Sequence, residues 1–581
     1  MRTPSESSFT THDDSQLFYR HWPATGPRRG AIVLLHRGHE HGGRVAHLAD
    51  ELDLPDFDVF AWDARGNGKS PGARGDSPSF SALVRDLECF VAHIEAQHGV
   101  APQDMAVVAQ SVGAVVAATW VHDYAPKIRA LVLASPAFKV KLYVPLARPG
   151  LKLMSALFGN FFVNSYVKAK FLTHDPARIA SYESDPLIAR PISVRVLLGL
   201  YETAERVVAD AQAVHVPTQL LISGADWVVH HGPQHRFFDG LGSSIKEKHV
   251  LPGFFHDTLG ERDRHIAVAK ARRFILQRFD AAPAIPDQRR AHEASPSQIE
   301  SDALGAPLPW WSPRAWYWAI TKRSLKFGAL FSAGLKLGED TGYDSGSTLD
   351  FVYRNRAESR NPFGKLIDRI YLGSIGWRGI RVRKTHVEEL LRLAMARLRA
   401  AGMPVRVMDI AAGHGRYALE FFEREGDKPD AVLLRDYSPI NVEQGQALIA
   451  EKGMQAIAGF EQADAFDRAQ VGSAQPAPTL GIVSGLYELF PDNALLEASL
   501  GGLADAIPVG GYLVYTGQPW HPQLELIARG LTSHRQGAAW VMRRRSQREM
   551  DQLVEAAGFR KIEQRIDDFG IFTVSLAQRI A

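Results

Sequence analysis

Residues 105–117, MAVVAQSVGAVVA, restrict the fold more than any other stretch of the chain. A short apolar run ends in Ala-Gln-Ser-Val-Gly and passes directly into a second apolar run rich in small residues. That pattern predicts a strand, a sharp turn and a helix, with Ser111 at the tip. Such a turn forces the serine into a strained backbone conformation, so small residues are needed two before it and two after it. Ala109 and Gly113 supply them. The geometry lifts the hydroxyl clear of the sheet and aims the first helical amides at whatever binds there. Ser111 is therefore a candidate nucleophile, although the motif alone also describes an ordinary serine in a strand-to-helix turn.

At 581 residues the chain is too long for one core, and two domains or more are expected. No run of about eighteen apolar residues offers a membrane span. The opening MRTPSESSFTTHDDSQ lacks the apolar centre of a secretion signal. A single cysteine, Cys89, rules out an intramolecular disulfide and fits a reducing compartment, so a cytoplasmic protein is expected. With 67 basic and 64 acidic residues the net charge of +3 decides little, and local clusters carry the electrostatic argument. No metal site is read from the sequence.

From Gly30 the chain alternates β-rich runs (AIVLLH, FDVFAWD, MAVVAQ, RALVLAS, TQLLISG, EKHVLP) with helical patterns, as in a mostly parallel sheet covered by helices on both faces. Active residues in such sheets lie at the carboxyl ends of strands. Asp226 follows TQLLISGA, and His256 follows EKHVLPGFF. A histidine takes the proton of a serine hydroxyl effectively when a buried carboxylate orients it and stabilises its cationic form. Ser111, Asp226 and His256, each after a strand, form such a set. The amides of Gly38, in LLHRGHEHGGR, and of Val112 are the candidate oxyanion donors.

The blocks His36-Arg37-Gly38-His39-Glu40-His41-Gly42-Gly43-Arg44, DARGNGKSPG from Asp63, AQSVGA, SGADWVV and LPGFFHD together resemble the monoglyceride lipase and lysophospholipase branch of the α/β-hydrolase fold. The resemblance spans about residues 15–279. It implies a serine esterase or lipase acting on a lipid or small acyl ester, with a helical cap at about 138–216. Phe158, Phe161, Phe162 and Tyr166 are candidates there for an acyl channel or for cap core. Two departures from the pattern stand out. Arg37 occupies a position usually held by glycine, where it narrows the hole or attracts an anionic substrate, and Ala109 replaces another glycine. An inactive hydrolase half used for lipid binding or docking is the alternative.

Composition changes over residues 281–309, rich in Ala, Pro, Ser and charge, which reads as a linker after a 1–280 hydrolase domain. An extension over 310–383 follows. It opens with Trp310, Trp311, Trp316 and Trp318 on a basic helix suited to a membrane surface or to packing on a domain. It ends in the cluster Arg354, Arg356, Arg360, Lys365, Arg369, Arg378, Arg381, Arg383 and Lys384, opposed only by Glu358 and Asp368. Peripheral contact at the inner membrane surface follows from these two features. Phosphate of a lipid head group or of RNA could bind the cluster, but no RNA-binding motif accompanies it, and nucleic acid is the less favoured partner.

A second alternating series begins at Val405. VRVMDI leads into the turn AAGHGRY, and AVLLRD ends in Asp436, which is placed to accept the hydroxyls of a ribose. The continuation through Ala463-Asp464-Ala465-Phe466, LGIVSGLYELF, VGGYLVYTG, SQREMDQLVEAAGF and two last strands resembles a class I S-adenosylmethionine-dependent methyltransferase over 384–581. The resemblance implies S-adenosyl-L-methionine as cofactor, held by Asp409, Ala411, Gly413 and Gly415 in the loop, Asp436 at the ribose and Asp464 at the adenine. The third glycine of a dinucleotide loop is missing, since Tyr417 and Ala418 follow, and the antiparallel-looking end also disfavours a nicotinamide domain. Tyr487, Glu488 and His521 are candidates at the methyl acceptor, whose identity is open. The expected architecture is a two-domain α/β chain, an α/β-hydrolase fold with a helical cap followed by a Rossmann-like methyltransferase fold. The expected function is a bifunctional hydrolase and methyltransferase acting on a lipid or small amphiphile.

Overall fold

In the computed structural model, which describes residues 2–165, 167–535 and 537–581, the six apolar runs of the first half become neighbouring strands of one sheet. The chain divides into two units, Met1–Pro286 and Asp287–Ala581.

The first unit contains β1 (Ser5–Thr10), β2 (Gln16–Trp22), β3 (Gly30–Leu35), β4 (Phe57–Trp62), β5 (Met105–Gln110), β6 (Ala130–Ala134), β7 (Phe162–Asn164), β8 (Pro191–Ser193), β9 (Thr218–Ser223) and β10 (Lys246–Leu251). Eight of them form a sheet in the order β1-β2-β4-β3-β5-β6-β9-β10. β3 to β6, β9 and β10 run parallel; the inner five are continuously apolar because both their faces are covered, whereas β10 (KEKHVL) is the partly exposed edge strand. β3, β4, β5, β6 and β9 are buried along their whole length. β1 and β2 form an antiparallel hairpin added at the edge beside β4, an addition the apolar pattern does not announce because β1 is mostly exposed. Between β6 and β9 the chain makes the expected cap, with helices Ala147–Phe158, Pro176–Ser184 and Val194–Ala209 and the small β7–β8 pair.

The second unit carries β11 (Arg406–Asp409), β12 (Ala431–Asp436), β13 (Ala458–Gln462), β14 (Leu480–Val483), β15 (Tyr512–Gly517), β16 (Phe559–Ile566) and β17 (Thr573–Arg579) in the order β13-β12-β11-β14-β15-β17-β16. β17 inserts antiparallel between β15 and β16. That reversed last strand separates this sheet from an all-parallel dinucleotide fold. LGIVSGLYELF is only half strand: β14 stops at Val483, and Tyr487–Leu489 is a short 3-10 turn.

The linker expected over 281–309 needs correction. Helices Ala291–Ala294 and Pro296–Gly305 form there, and from Asp287 the segment belongs to the second unit. Ser295 caps the second helix by accepting from the Gln298 amide at 3.2 Å, with Pro296 at its first position. Partners distant in sequence hold the segment: Glu300 Oε2 lies 2.7 Å from Arg544 Nε, and Asn493 Nδ2 donates to the Arg289 carbonyl at 2.7 Å. The extension is helical too. Pro313–Ala329, Ala333–Thr341, Gly346–Arg354 and Pro362–Leu372 are each capped by the side chain of Ser312, Ser332, Ser345 or Asn361, and Ile375–Ala400 leads into β11.

Candidate functional site

At the end of β5, Ser111 takes φ 56° and ψ −116°, the left-handed strain its neighbours predict. Its amide donates to Ala134 O at 3.0 Å and its carbonyl accepts from Ala137 at 3.1 Å, so strand β6 holds the turn in place. Gly113 is required by close approach: a Cβ there would stand 2.4 Å from the His36 carbonyl oxygen. Ala109 is wholly buried and its methyl is accommodated.

The three residues expected to act together do meet. Ser111 Oγ lies 2.7 Å from His256 Nε2, and His256 Nδ1 lies 2.8 Å from Asp226 Oδ2. The other oxygen of Asp226 accepts from the amides of Val228 at 2.7 Å and Val229 at 3.0 Å. Burial works to raise the Asp226 carboxyl, but the facing His256 and these hydrogen bonds outweigh it and hold the group below its ordinary range. Gly38 packs against Val112 so closely that a Cβ would fall 2.9 Å from Val112 Cγ2. Val112 opens its helix and has no intrahelical carbonyl to bond. Neither amide donates a hydrogen bond among the described residues.

Arg37 does not crowd this hole with an open charge. Its guanidinium is buried and bonded twice to Glu40, at 3.0 and 2.5 Å, with Asp257 at 3.6 Å. Arg178 joins Asp257 at 2.9 Å, and Gln110 Nε2 donates to Asp257 at 3.0 Å. Burial disfavours the Arg37 cation, but Asp257 and Glu40 reverse the effect and raise its pKa. The expectation that Arg37 attracts an anionic substrate is thus corrected, because its charge is already neutralised. The cluster ties the loop after β3 to the loop carrying His256. Glu40, Gln110, Asp257 and Arg178 were not singled out in the sequence, although Gln110 and Asp257 directly precede Ser111 and follow His256.

A cavity of about 530 Å³ opens over Ser111 and His256. Aliphatic side chains of the cap, among them Leu146, Leu151, Met154, Ile192 and Leu197, form its wall. The aromatic residues expected there do not: Phe158 is 76% and Phe162 45% exposed, Phe161 is absent from the lining, and Tyr166 lies outside the described residues.

In the second unit the turn after β11 carries Gly413 at φ 59° and Gly415 at φ 72°. A Cβ on Gly415 would meet Leu434 Cδ1 at 2.5 Å. Asp409 lies beneath this turn, fully buried, and accepts from the Ala411 amide at 3.2 Å and from the Tyr417 hydroxyl. Burial pushes its carboxyl up to about 7, against those two hydrogen bonds. Asp409 therefore shapes the loop from below and presents no surface to a ligand. Asp436 accepts from the Gly413 amide, the Ser438 amide and Asn441 Nδ2, each at 2.9 Å. Ala411 and Asp464 are half-buried at the same sheet edge, and Asp464 accepts from the Phe466 amide at 2.9 Å. The extension reaches this loop: a Cβ on Gly413 would meet Gly346 Cα at 3.4 Å, and Ser347 Oγ lies 3.3 Å from His414 Nε2.

Among the acceptor candidates, Tyr487 belongs to the core, its hydroxyl bonded to Ser499 at 2.9 Å. Glu488 and His521 line a cavity of about 300 Å³. The arginine cluster is divided. Arg354 pairs with Asp350 and Glu358, Lys384 with Glu420 at 2.7 Å, and Arg383 is buried, whereas Arg356, Arg360, Lys365 and Arg369 are exposed with no ion pair among the described residues. Trp310, Trp311 and Trp316 are exposed as well, and Pro313–Ala329 buries none of its residues fully. Among the described residues no helix is long and apolar enough to cross a membrane.

The strand order and the Ser111 turn define the first unit as an α/β-hydrolase, and the seven-stranded sheet with its reversed last strand is that of a class I methyltransferase fold. The chain belongs to the family described as "Putative methyltransferase", whose model matches residues 271–579 and so takes in the whole extension. The model described as "Serine aminopeptidase, S33" matches residues 26–263. Over its full length the chain is similar to the uncharacterized protein YnbC of Escherichia coli (strain K12), with 55% identity over 580 residues, 100% of this chain and 99% of that one. The monoacylglycerol lipase of Mycolicibacterium smegmatis (strain ATCC 700084 / mc(2)155) is 26% identical over 280 residues, 47% of this chain and 98% of the lipase. The crystal structure of Paleococcus ferrophilus monoacylglycerol lipase aligns with 48% of this chain and 99% of its own, at 22% identity and a TM-score of 0.41. A lipase-like hydrolase domain and a methyltransferase domain are thus joined in one bifunctional architecture.

Proposed function

We propose that the first unit is a serine hydrolase cleaving acyl esters of lipid-like molecules and that the second transfers methyl groups from S-adenosyl-L-methionine. The hydrolase reading rests on the unbroken relay from Ser111 through His256 to Asp226, at 2.7 and 2.8 Å. Ser111 Oγ attacks the acyl carbonyl while His256 Nε2 takes its proton. Asp226 fixes the imidazole with its proton on Nδ1 and stabilises the cation that forms. The Gly38 and Val112 amides receive the developing oxyanion. His256 then returns the proton to the leaving alcohol, and water repeats the cycle. The acyl chain is taken to lie among the cap aliphatics, in keeping with the lipid-directed names of the relatives.

The loop after β11 fits an adenosine-bearing cofactor. Its two left-handed glycines leave the cradle free of side chains, and Asp436, with three hydrogen bonds received, keeps acceptor capacity for a hydroxyl. Ala411, Gly413 and Gly415 would line the cradle, Asp436 would hold the ribose and Asp464 the adenine, with Asp409 supporting the loop from below. When bound, the cofactor supplies a methyl group already activated by its sulfonium, so the protein's work is alignment of an acceptor and removal of its proton. The exposed aromatic and basic face of the extension supports peripheral contact with an anionic membrane.

Labelling by a fluorophosphonate probe that disappears in Ser111→Ala tests the first half. Calorimetric binding of S-adenosylhomocysteine, weakened in Asp436→Ala, tests the second. A chain that neither reacts with the probe nor binds the cofactor product refutes both.

A further inference from the structure

In the second sheet β11 has β12 on one side and β14 on the other, so the strand order reverses between β11 and β14. Crevices at such reversals, beyond the carboxyl ends of the strands, are where open α/β sheets hold ligands. The cavity of about 300 Å³ lies beside that reversal, beyond the ends of β14 and β15, lined by Gly485 and Glu488 after β14, by Gln518 and His521 after β15, and by side chains of the extension. Leu335, Trp377, Ile380, Ile527, Met542 and Phe572 make most of its wall apolar.

Its few polar groups are deeply buried: Arg383 is 3%, His521 5%, Glu488 6% and Trp540 7% exposed. Three atoms on them, Arg383 Nε, Glu488 Oε2 and Trp540 Nε1, have no hydrogen-bond partner among the described residues. Leaving a buried polar atom unpaired is costly, and these three, with the equally unpartnered Tyr371 hydroxyl in the same wall, point to a ligand that satisfies them. Glu488 is held from behind, since Thr516 Oγ1 donates to its Oε1 at 2.8 Å and Arg383 Nη1 stands 3.7 Å from the same oxygen. The other oxygen is free to accept. His521 does not compete for a proton. Its Nδ1 accepts from the Gln523 amide at 3.0 Å, which leaves the ring proton on Nε2, and burial lowers its pKa to about 4.

We propose that this cavity holds the methyl acceptor and that the acceptor is an alcohol on an apolar body, its hydroxyl directed at Glu488. The proposal rests on the methyltransferase reading and names its substrate class. A carboxylate acceptor would need no base and would face the Glu488 charge. An ammonium would meet the buried Arg383. A neutral hydroxyl meets neither penalty, donates to Glu488 Oε2 and accepts from Arg383 Nε or Trp540 Nε1. In the transfer the acceptor oxygen gains the methyl group and gives its proton to Glu488 Oε2. The electron pair of the broken sulfonium–methyl bond stays on sulfur.

The test uses the full chain and three photoreactive probes, a long-chain alkan-1-ol bearing a diazirine and a terminal alkyne, and the matching carboxylate and primary amine. Labelled peptides are mapped by mass spectrometry. The alcohol is expected to label peptides around Trp377–Arg383 or Ile527–Met542, and the two charged probes to do so at least about tenfold less, as one unsatisfied buried charge requires. Ile527→Trp, which fills the cavity, should remove this labelling without changing the unfolding temperature by more than a few degrees. Glu488→Gln should keep the alcohol labelling and lower methyl transfer to the alcohol by about 10²–10⁴-fold, the usual worth of a general base. No label in these peptides, equal label from all three probes, or unimpaired transfer in Glu488→Gln would overturn the proposal. Binding of S-adenosylhomocysteine is measured in parallel. If it binds and the labelling fails, only the acceptor site falls, whereas no binding removes the methyltransferase reading and the acceptor site with it.

Discussion

Asp226→Asn tests the hydrolase relay more sharply than deletion of the serine, because the structure dictates which way the amide must turn. Asp226 Oδ1 accepts two backbone amides, from Val228 at 2.7 Å and Val229 at 3.0 Å. The amide oxygen of an asparagine must occupy that position, since its NH₂ would face two donors there. The NH₂ is then left at 2.8 Å from His256 Nδ1, where the carboxylate oxygen stood. Nδ1 becomes an acceptor, the ring proton moves to Nε2, and Ser111 loses the lone pair that was to take its proton. The fold keeps its shape and the wrong tautomer is locked in. The expected loss in kcat is about 10⁴-fold, or ~5 kcal/mol, with KM little changed. The assay is hydrolysis of a medium-chain p-nitrophenyl ester between pH 6 and 10, with thermal unfolding as control. Activity of the variant should rise with pH as hydroxide replaces the missing base. A loss smaller than about tenfold in a normally folded variant would refute the relay.

Arg37→Gly, which restores the usual residue beside the oxyanion hole, should destabilise the protein by about 3 kcal/mol in chemical denaturation by leaving Glu40 and Asp257 short of a buried partner; an unchanged or higher stability refutes the neutralised cluster. Asp409, with a folded pKa of about 7 against an ordinary value of 3.8, binds a proton in the folded state that the unfolded chain has already lost. Stability therefore falls as pH rises from about 4 to about 7, by at most about 4 kcal/mol, and Asp409→Asn should abolish that slope in unfolding of the second unit. Vesicles with anionic lipid should carry the protein on flotation. Lys365→Gln with Arg369→Gln should weaken that binding roughly thirtyfold, at about 1 kcal/mol per cation, and binding unaffected by the pair or by salt refutes the membrane face.

Where the chemistry is local, sequence suffices. The Ser111 turn was readable because its small residues are two positions away, Asp226 because it follows the fully buried β9, and His256 because it follows a β-rich run in the expected chain order. Two of the edge strands were not. β1 reads SESSFT with only Phe9 buried, and β13 reads AGFEQ, so neither forms an apolar run. Contacts made over long separations were equally hidden. The supposed linker folds because Glu300 meets Arg544 and Arg289 meets Asn493, about 200 residues or more apart. Arg37 looked like an intrusion into the oxyanion hole because Asp257 and Glu40 could not be placed around it. The arginine cluster looked unopposed because Glu420 and Glu488 reach it only in the fold, while Asp350 lies one helical turn before its first member. The acceptor cavity combines residues from about 325 to 383 with residues from 485 to 572, and no periodicity relates them.

The two proposed activities would constrain each other through their products. Cleaving an acyl ester yields a carboxylate and an alcohol. On the acceptor proposal, the 300 Å³ cavity sets an unpartnered Glu488 oxygen where a second carboxylate would be repelled and a hydroxyl would be bound. Of the two products, the alcohol is the one that matches. An ester whose alcohol part has no other hydroxyl lacks the proton that Glu488 is proposed to take, and becomes an acceptor only once it has been cleaved. On the two proposals together, hydrolysis would precede methylation wherever the ester carries no other hydroxyl. Labelled methyl incorporation into an extract separates the cases. If incorporation from an esterified precursor needs both Ser111 and Asp436, while incorporation from the free alcohol needs Asp436 alone, the order holds. If Ser111→Ala leaves incorporation from the precursor intact, the two units act on unrelated molecules.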